Sequence, residues 1–182
     1  MKKVALTLVS DFEIVEAMAP LDMLRRAGIY VDVISVENKD YVKSAINIEI
    51  KVDKKLKDVD LSTYDLVILP GGPGTKNYYD HQDLLDKVKA NYNNKKMVSA
   101  ICAGPSVLAN LGILEGRNAI SFPSFQHVLV ENNAKLVNEQ VVVSDNVITG
   151  RAAAASIEFG LKLVEMLEGK ETREKVEKAI VY

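Results

Sequence analysis

The sequence predicts an α/β fold whose sheet is largely parallel and covered by helices on both faces. Three observations carry that expectation. Short apolar runs alternate along the chain with longer segments whose apolar residues recur at helical spacing. Some runs, such as Leu66–Leu69, are apolar without interruption, the pattern of a strand buried on both faces. The length of 182 residues, with 48% hydrophobic, suits one well-packed core and is short for two, so a single domain over residues 1–182 is expected.

Taken in order, Val4–Val9 reads as a buried strand and Ile14–Ala27 as the helix after it, stopped by Gly28. Tyr30–Val36 is the next strand. Ile46–Val52 alternates strictly, as a half-exposed strand or hairpin arm does. Asp65–Leu69 has the pattern of a central parallel strand, and Pro70-Gly-Gly-Pro-Gly74 after it reads as a loop. A helix is expected over about Gln82–Asn93. Lys96–Ile101 is then a strand and Pro105–Leu111 a helix, with proline in its first turn and Gly112 as its stop. Weaker patterns suggest strands over Asn118–Ser121 and Leu136–Ser144 and a short helix over Phe125–Glu131. Asn146–Gly150 reads as a last strand, followed by an amphipathic helix over Ala152–Leu167 and a charged helix ending at Ala179.

Charge narrows the function classes. The net charge is −2 with both signs mixed along the chain, so neither nucleic acid nor an anionic membrane is expected as a partner. No apolar run is long enough to span a bilayer, and Met1-Lys-Lys leads into a strand without a cleavage-site pattern, so a cytoplasmic location is expected. The single cysteine fits a reducing compartment. No cluster of histidine, cysteine and carboxylate has ligand spacing, and there is no Walker loop or GxGxxG fingerprint, so neither metal nor nucleotide cofactor is expected.

In open α/β sheets ligands bind beyond the carboxyl ends of the strands. Three loops are expected to meet there: Ser10–Glu13, Gly71–Gly74 and Cys102–Gly104. Cys102 stands between a strand and a helix at a small-residue turn, the nucleophile-elbow arrangement. Helix amides favour its thiolate, and the pKa is expected to fall unless apolar burial prevails. The competing reading is a small buried packing residue. Glu13 and Glu16 lie at the start of the first helix, and Glu16, flanked by Val15, Ala17 and Met18, is a candidate for a raised pKa and a protonated carboxyl that donates to the Cys102 sulfur. Acidic residues are also ordinary in a first helical turn. Gly71 and Gly72 either bring amides to an oxyanion or simply make a tight turn. Nothing in the sequence sets His81 or His127 beside Cys102.

Four blocks together resemble the DJ-1/ThiJ/PfpI superfamily, most closely its DJ-1-like branch. They are Glu13–Gly28 (containing Pro-Leu-Asp-Met-Leu-Arg-Arg-Ala-Gly), Leu69-Pro-Gly-Gly72, Ala100-Ile-Cys-Ala-Gly-Pro105, and Ile148-Thr-Gly-Arg151 leading into Ser156-Ile-Glu-Phe159. Their order and spacing span nearly the whole chain. The resemblance implies a flavodoxin-like three-layer sandwich and a homodimer. It implies Cys102 as the reactive cysteine, readily oxidised to a sulfinate, Glu16 as its protonated partner, and the amides of Gly72 and Ala103 as the groups that complete the pocket. It sharpens Glu16 over Glu13. Gly71, Phe122 and Arg151 are further candidate pocket residues.

Departures from the family pattern bear on activity. Relatives often place histidine before proline in the strand after the cysteine helix, where this chain has Ser121-Phe-Pro123, so Phe122 stands in the position of the base. Ala103 follows Cys102 where the protease-like branch has histidine, which argues against a peptidase. Relatives often carry a Ser-Arg pair where this chain has Ser44-Ala45, which leaves Arg151 without its usual cationic neighbour. Two functions follow as expectations. One is a redox-responsive stress-protection protein or chaperone in which oxidation of Cys102 by peroxide is the event. The other is a cofactor-independent glyoxalase or deglycase acting on methylglyoxal and other reactive carbonyls, slowed by the missing histidine. No residue supports a role in thiazole biosynthesis.

Overall fold

The computed structural model describes residues 1–182. The chain runs β1 (Lys3–Leu8), α1 (Ile14–Arg26), β2 (Tyr30–Ser35), β3 (Tyr41–Lys43), β4 (Glu49–Lys51), β5 (Lys54–Lys55), β6 (Leu66–Leu69), α2 (Gln82–Asn93), β7 (Met97–Ile101), α3 (Pro105–Asn110), β8 (Asn118–Ala119), α4 (Gln126–Glu131), β9 (Lys135–Leu136), β10 (Val141–Ser144), β11 (Val147–Gly150), α5 (Ser156–Glu168) and α6 (Lys170–Ile180). Seven strands form one sheet in the order β10-β11-β7-β6-β1-β2-β5. All pairings are parallel except β10 with β11.

The strands are buried on both faces because alternate side chains enter two separate cores. Val4, Leu6 and Leu8 of β1 join Leu66 and Ile68 of β6 in the core beneath α1 and α5, built on Leu21, Leu24, Phe159 and Val164. Ala5, Val67 and Leu69 face the other way, toward Leu84 and Val88 of α2 and Val107 and Leu108 of α3. This is the α/β flavodoxin-like sandwich, three layers deep. On its first face α1 and α5 approach closely, since Gly160 has no side chain to collide with Pro20: a Cβ there would lie 2.8 Å from the Pro20 Cα.

Three elements differ from the sequence expectation. Of the two readings of Ile46–Val52, the hairpin arm holds, but only over part of the segment. Asn47 takes a left-handed turn (φ 63°), and only Glu49–Lys51 pairs, antiparallel to a β3 that the alternation did not announce. The expected strand over Leu136–Ser144 is split: β9 pairs with β8, the polar Asn138–Gln140 segment intervenes, and β10 folds back on β11 through a turn with Asp145 at φ 55°. The helix expected from Ala152 begins at Ser156, because Ala152 is extended and Ala153–Ala155 form a 3-10 turn. No helix is long and apolar enough to cross a membrane.

The sheet order reverses at β1, which has β2 on one side and β6 on the other. Such a switch point leaves a crevice at the carboxyl ends of the neighbouring strands. The chain segments that follow β1, β6 and β7 all start there.

The α1–α5 contact yields a test. Gly160→Val is expected to destabilise the protein by about 1–3 kcal/mol through overpacking against Pro20. Urea denaturation checks it, as a lower midpoint at unchanged slope; an unmoved midpoint would mean that the helices separate without cost.

Candidate functional site

Cys102 lies directly after β7 in the left-handed region, at φ 63°. A cysteine there costs about 1–2 kcal/mol relative to an ordinary conformation, so the surroundings must hold it. Its N–H donates to the Gly150 carbonyl at 3.0 Å, and its own carbonyl accepts from the Phe122 N–H at 2.8 Å. Gly104, next but one along, closes the turn by donating to Ile101 at 2.9 Å. The elbow therefore ties together β7, β11 and the segment after β8.

Beside the elbow runs the Pro70–Gly74 segment. Gly71 is glycine by necessity, since a Cβ would stand 2.8 Å from the Cys102 Cβ and from the Ala103 nitrogen. Gly72 is at φ 103°, and a Cβ there would reach within 2.4 Å of the Glu13 nitrogen. This path aims two amides at different atoms. The Gly71 N–H donates to Glu16 Oε2 at 3.0 Å, while the Gly72 and Ala103 N–H groups donate toward the Cys102 sulfur. Below them, the fully buried Tyr78 donates its hydroxyl to the carbonyls of Thr7 and Pro70, bracing the ends of β1 and β6.

Glu16 is fully buried in the first turn of α1. Burial pushes its pKa from 4.5 up to about 7, against the hydrogen bonds from Cys102 and Gly71. Its second oxygen, Oε1, is buried with no well-aligned partner. Burial also pushes the Cys102 thiol up to about 12, and the charge of ionised Glu16 adds to that. With Glu16 ionised, the expected depression by helix amides is thus outweighed by desolvation and by that neighbouring charge, and α3 is only six residues long. The two groups act as a unit. The pair holds one shared proton near neutral pH, because burial disfavours a second negative charge beside the first. When the remaining proton sits on Glu16, Oε1 becomes a donor to sulfur, the orphaned oxygen is satisfied, and the thiolate also receives the two amides. When it sits on sulfur, a bare carboxylate is left in an apolar setting. The first arrangement is the better solvated, so the shared proton belongs on Glu16.

The dyad opens into a cavity of about 620 Å³. Cys102, Glu16, Gly72, Ala103 and Phe122 line it, as does Glu13. Arg151 does not: its guanidinium donates to Asn138 at 2.9 Å. Gly71 contributes through Glu16 rather than to the wall. His81 and His127 lie outside, His127 exposed on α4. Sequence reasoning missed Lys76, Tyr79, Phe125, Val128 and Ala152–Ala154, and also Pro73, Thr75, Ser106 and Asn110, which complete the walls. The spacing of Phe122, Phe125 and Val128 at every third residue was a readable signal; the Ala152–Ala154 wall had none. No group of three histidine, cysteine or carboxylate side chains is placed to hold a metal ion.

Residues 2–166 match the model of the DJ-1/PfpI family. The chain is 36% identical to protein dj-1beta of Drosophila melanogaster, with 100% of this chain and 98% of the fly protein aligned. It is 35% identical to the glutathione-independent glyoxalase DJR-1.2 of Caenorhabditis elegans, over 88% of this chain and 86% of that protein. The solved structure of oxidized Toxoplasma gondii DJ-1 superposes with a TM-score of 0.94 at 34% identity, covering 100% of this chain and 99% of that one.

The raised pKa of Glu16 carries a sign for stability. The folded protein binds this proton more tightly than the unfolded chain, so the contribution is fully present below pH 4.5 and is lost as pH rises through 7. The loss across that window is about 3 kcal/mol. Glu16→Gln is expected to abolish this slope and to be the more stable protein at pH 8, read from urea midpoints across pH. In the same pair of proteins, iodoacetamide labelling of Cys102 is expected to rise near pH 7 in the parent and at least one pH unit higher in the variant. Superimposable labelling profiles would show that the two groups do not share a proton.

Proposed function

The chain belongs to the DJ-1/PfpI family, and on that premise we propose that it is a stress-protection protein whose working event is the oxidation of Cys102 by peroxide. The observation that carries this reading is the strained elbow cysteine backed by a buried acid. In the first step the thiolate attacks one peroxide oxygen, the O–O bond breaks, and sulfur becomes sulfenic acid while the leaving oxygen takes the Glu16 proton and departs as water. A second peroxide repeats the transfer and gives the sulfinate. Its oxygens would accept from the Gly72 and Ala103 amides and from reprotonated Glu16. None of these steps needs a histidine, which suits a cavity that has none. A reducing compartment such as the cytoplasm would keep this single thiol available for the reaction.

A second reading is supported by the glyoxalase name of the worm relative and by the size of the cavity. Cys102 would add to the aldehyde of methylglyoxal, and the hemithioacetal oxyanion would face the two amides. Moving the carbon-bound proton requires a base, and Phe122 stands where relatives often have one. Loss of such a base typically costs about a hundred-fold to ten-thousand-fold, so turnover would be slow.

The homodimer is also proposed. The bridge between Phe12 and Ser44 sets the start of α1 beside the β3–β4 turn, and exposed Val15, Ile46 and Ile48 lie on those two segments. Ile46→Glu is expected to convert a dimer to monomer in light scattering; a parent protein already monomeric at micromolar concentration would overturn this.

Peroxide treatment followed by intact mass tests the redox reading. A gain of two oxygen atoms, absent in Cys102→Ser, is expected, and Glu16→Ala is expected to overshoot to three. Failure of the folded protein to gain oxygen, together with lactate formation from methylglyoxal that Cys102→Ser abolishes, would replace it with the glyoxalase reading.

A further inference from the structure

The cavity in front of Cys102 is much larger than hydrogen peroxide requires. A volume of about 620 Å³ lies in the range of sites for drug-sized ligands. Thr75, Lys76, Ser106 and Asn110 give the cavity polar groups, but most of its exposed wall is apolar. Phe122, whose N–H is bonded to the Cys102 carbonyl, begins a stripe at every third residue that continues through Phe125 on a 3-10 turn to Val128 on α4. Ala152–Ala154 line the cavity as well, with side chains small enough to leave its space open. Outside the dyad, its ionic lining residues, Glu13 and Lys76, are opposite in sign and neither forms a salt bridge, so these two charges do not select the occupant.

We propose that the oxidant this site selects is an organic hydroperoxide carrying an apolar ring or chain, with its O–O bond at the dyad and its apolar body along the Phe122–Phe125–Val128 wall. The proposal rests on the redox reading above and names its substrate class. The thiolate attacks the outer, hydroxyl-bearing oxygen, forming the S–O bond and breaking the O–O bond. Sulfur is oxidised to sulfenic acid and the hydroperoxide is reduced to its alcohol, whose alkoxide takes the Glu16 proton; Glu16 regains a proton from solvent. Phenylalanine at position 122 has a use here, since it supplies apolar surface next to the reacting sulfur where an imidazole would bring water.

The probes are cumene hydroperoxide and hydrogen peroxide, each rate of Cys102 oxidation being divided by the rate of the same peroxide with free cysteine. The normalised rate for cumene hydroperoxide is expected to be at least about tenfold higher, the discrimination that small differences in apolar contact produce. Phe125→Asn and Val128→Asn, made separately so that one misfolded variant does not remove the test, are expected to shrink that ratio severalfold. The product alcohol, 2-phenyl-2-propanol, is expected to protect Cys102 from hydrogen peroxide in the parent and less well in the variants. Equal normalised rates and no protection by the alcohol would overturn the proposal while leaving the redox reading standing. Oxidation by neither peroxide would remove both.

Discussion

The site depends on how closely three backbones pack at the carboxyl end of the sheet. Gly71, Gly104 and Gly150 each occupy a place where a Cβ would come within 3 Å of the neighbouring segment: the Cys102 Cβ, the Leu69 carbonyl and the Ile101 side chain respectively. That crowding, with the hydrogen bond from Cys102 to Gly150, keeps a non-glycine residue at positive φ. The strain is local and the restraint is not. It comes from β6, β7 and β11 together, each held by the two cores that cover the sheet, so the thiol inherits the rigidity of the whole sandwich.

The same burial that makes the dyad chemically useful works against the fold. A carboxyl with an ordinary pKa would be ionised at neutral pH and would oppose a thiolate beside it. Full burial of Glu16 reverses this by keeping a proton available to sulfur near pH 7. It also means that ionising the pair in the folded state is unfavourable, which leaves the protein less stable at alkaline pH than its packing alone would allow. Sites commonly break a local rule that the rest of the sequence obeys. Here there are two such breaks, a buried acid and a left-handed cysteine, and they adjoin.

Much of the fold was legible. Strand residues that alternate between two apolar cores write both faces into the chain, and the first long helix, the second, and the strand before Cys102 have nearly the bounds that spacing and punctuation predict. The hairpin arm at β4 was legible in its alternation, but its partner β3 and the split between β9 and β10 were not, because short strands with exposed faces owe their existence to a partner and carry little pattern of their own. Of the site, Cys102 and Glu16 could be singled out from their positions in the β-then-α units. The ionisation of Cys102 depends on a competition between amides on one side and desolvation and the charge of Glu16 on the other, and only the packing around the thiol shows which groups take part. Arg151 follows β11 as expected, yet its side chain turns to Asn138 rather than to the cavity.

The amino-acid order by itself determined the layer architecture, the elbow, the acid on α1 and the absence of a histidine next to proline at position 123, since each is a matter of period or of residue type at a local turn. Tertiary structure decided the rest: which oxygen of Glu16 is left without a partner, which amides meet sulfur, and how Ala152–Ala154 and the Phe122–Val128 stripe come to line one open cavity. These depend on distances between segments far apart in the chain, and no local pattern encodes them.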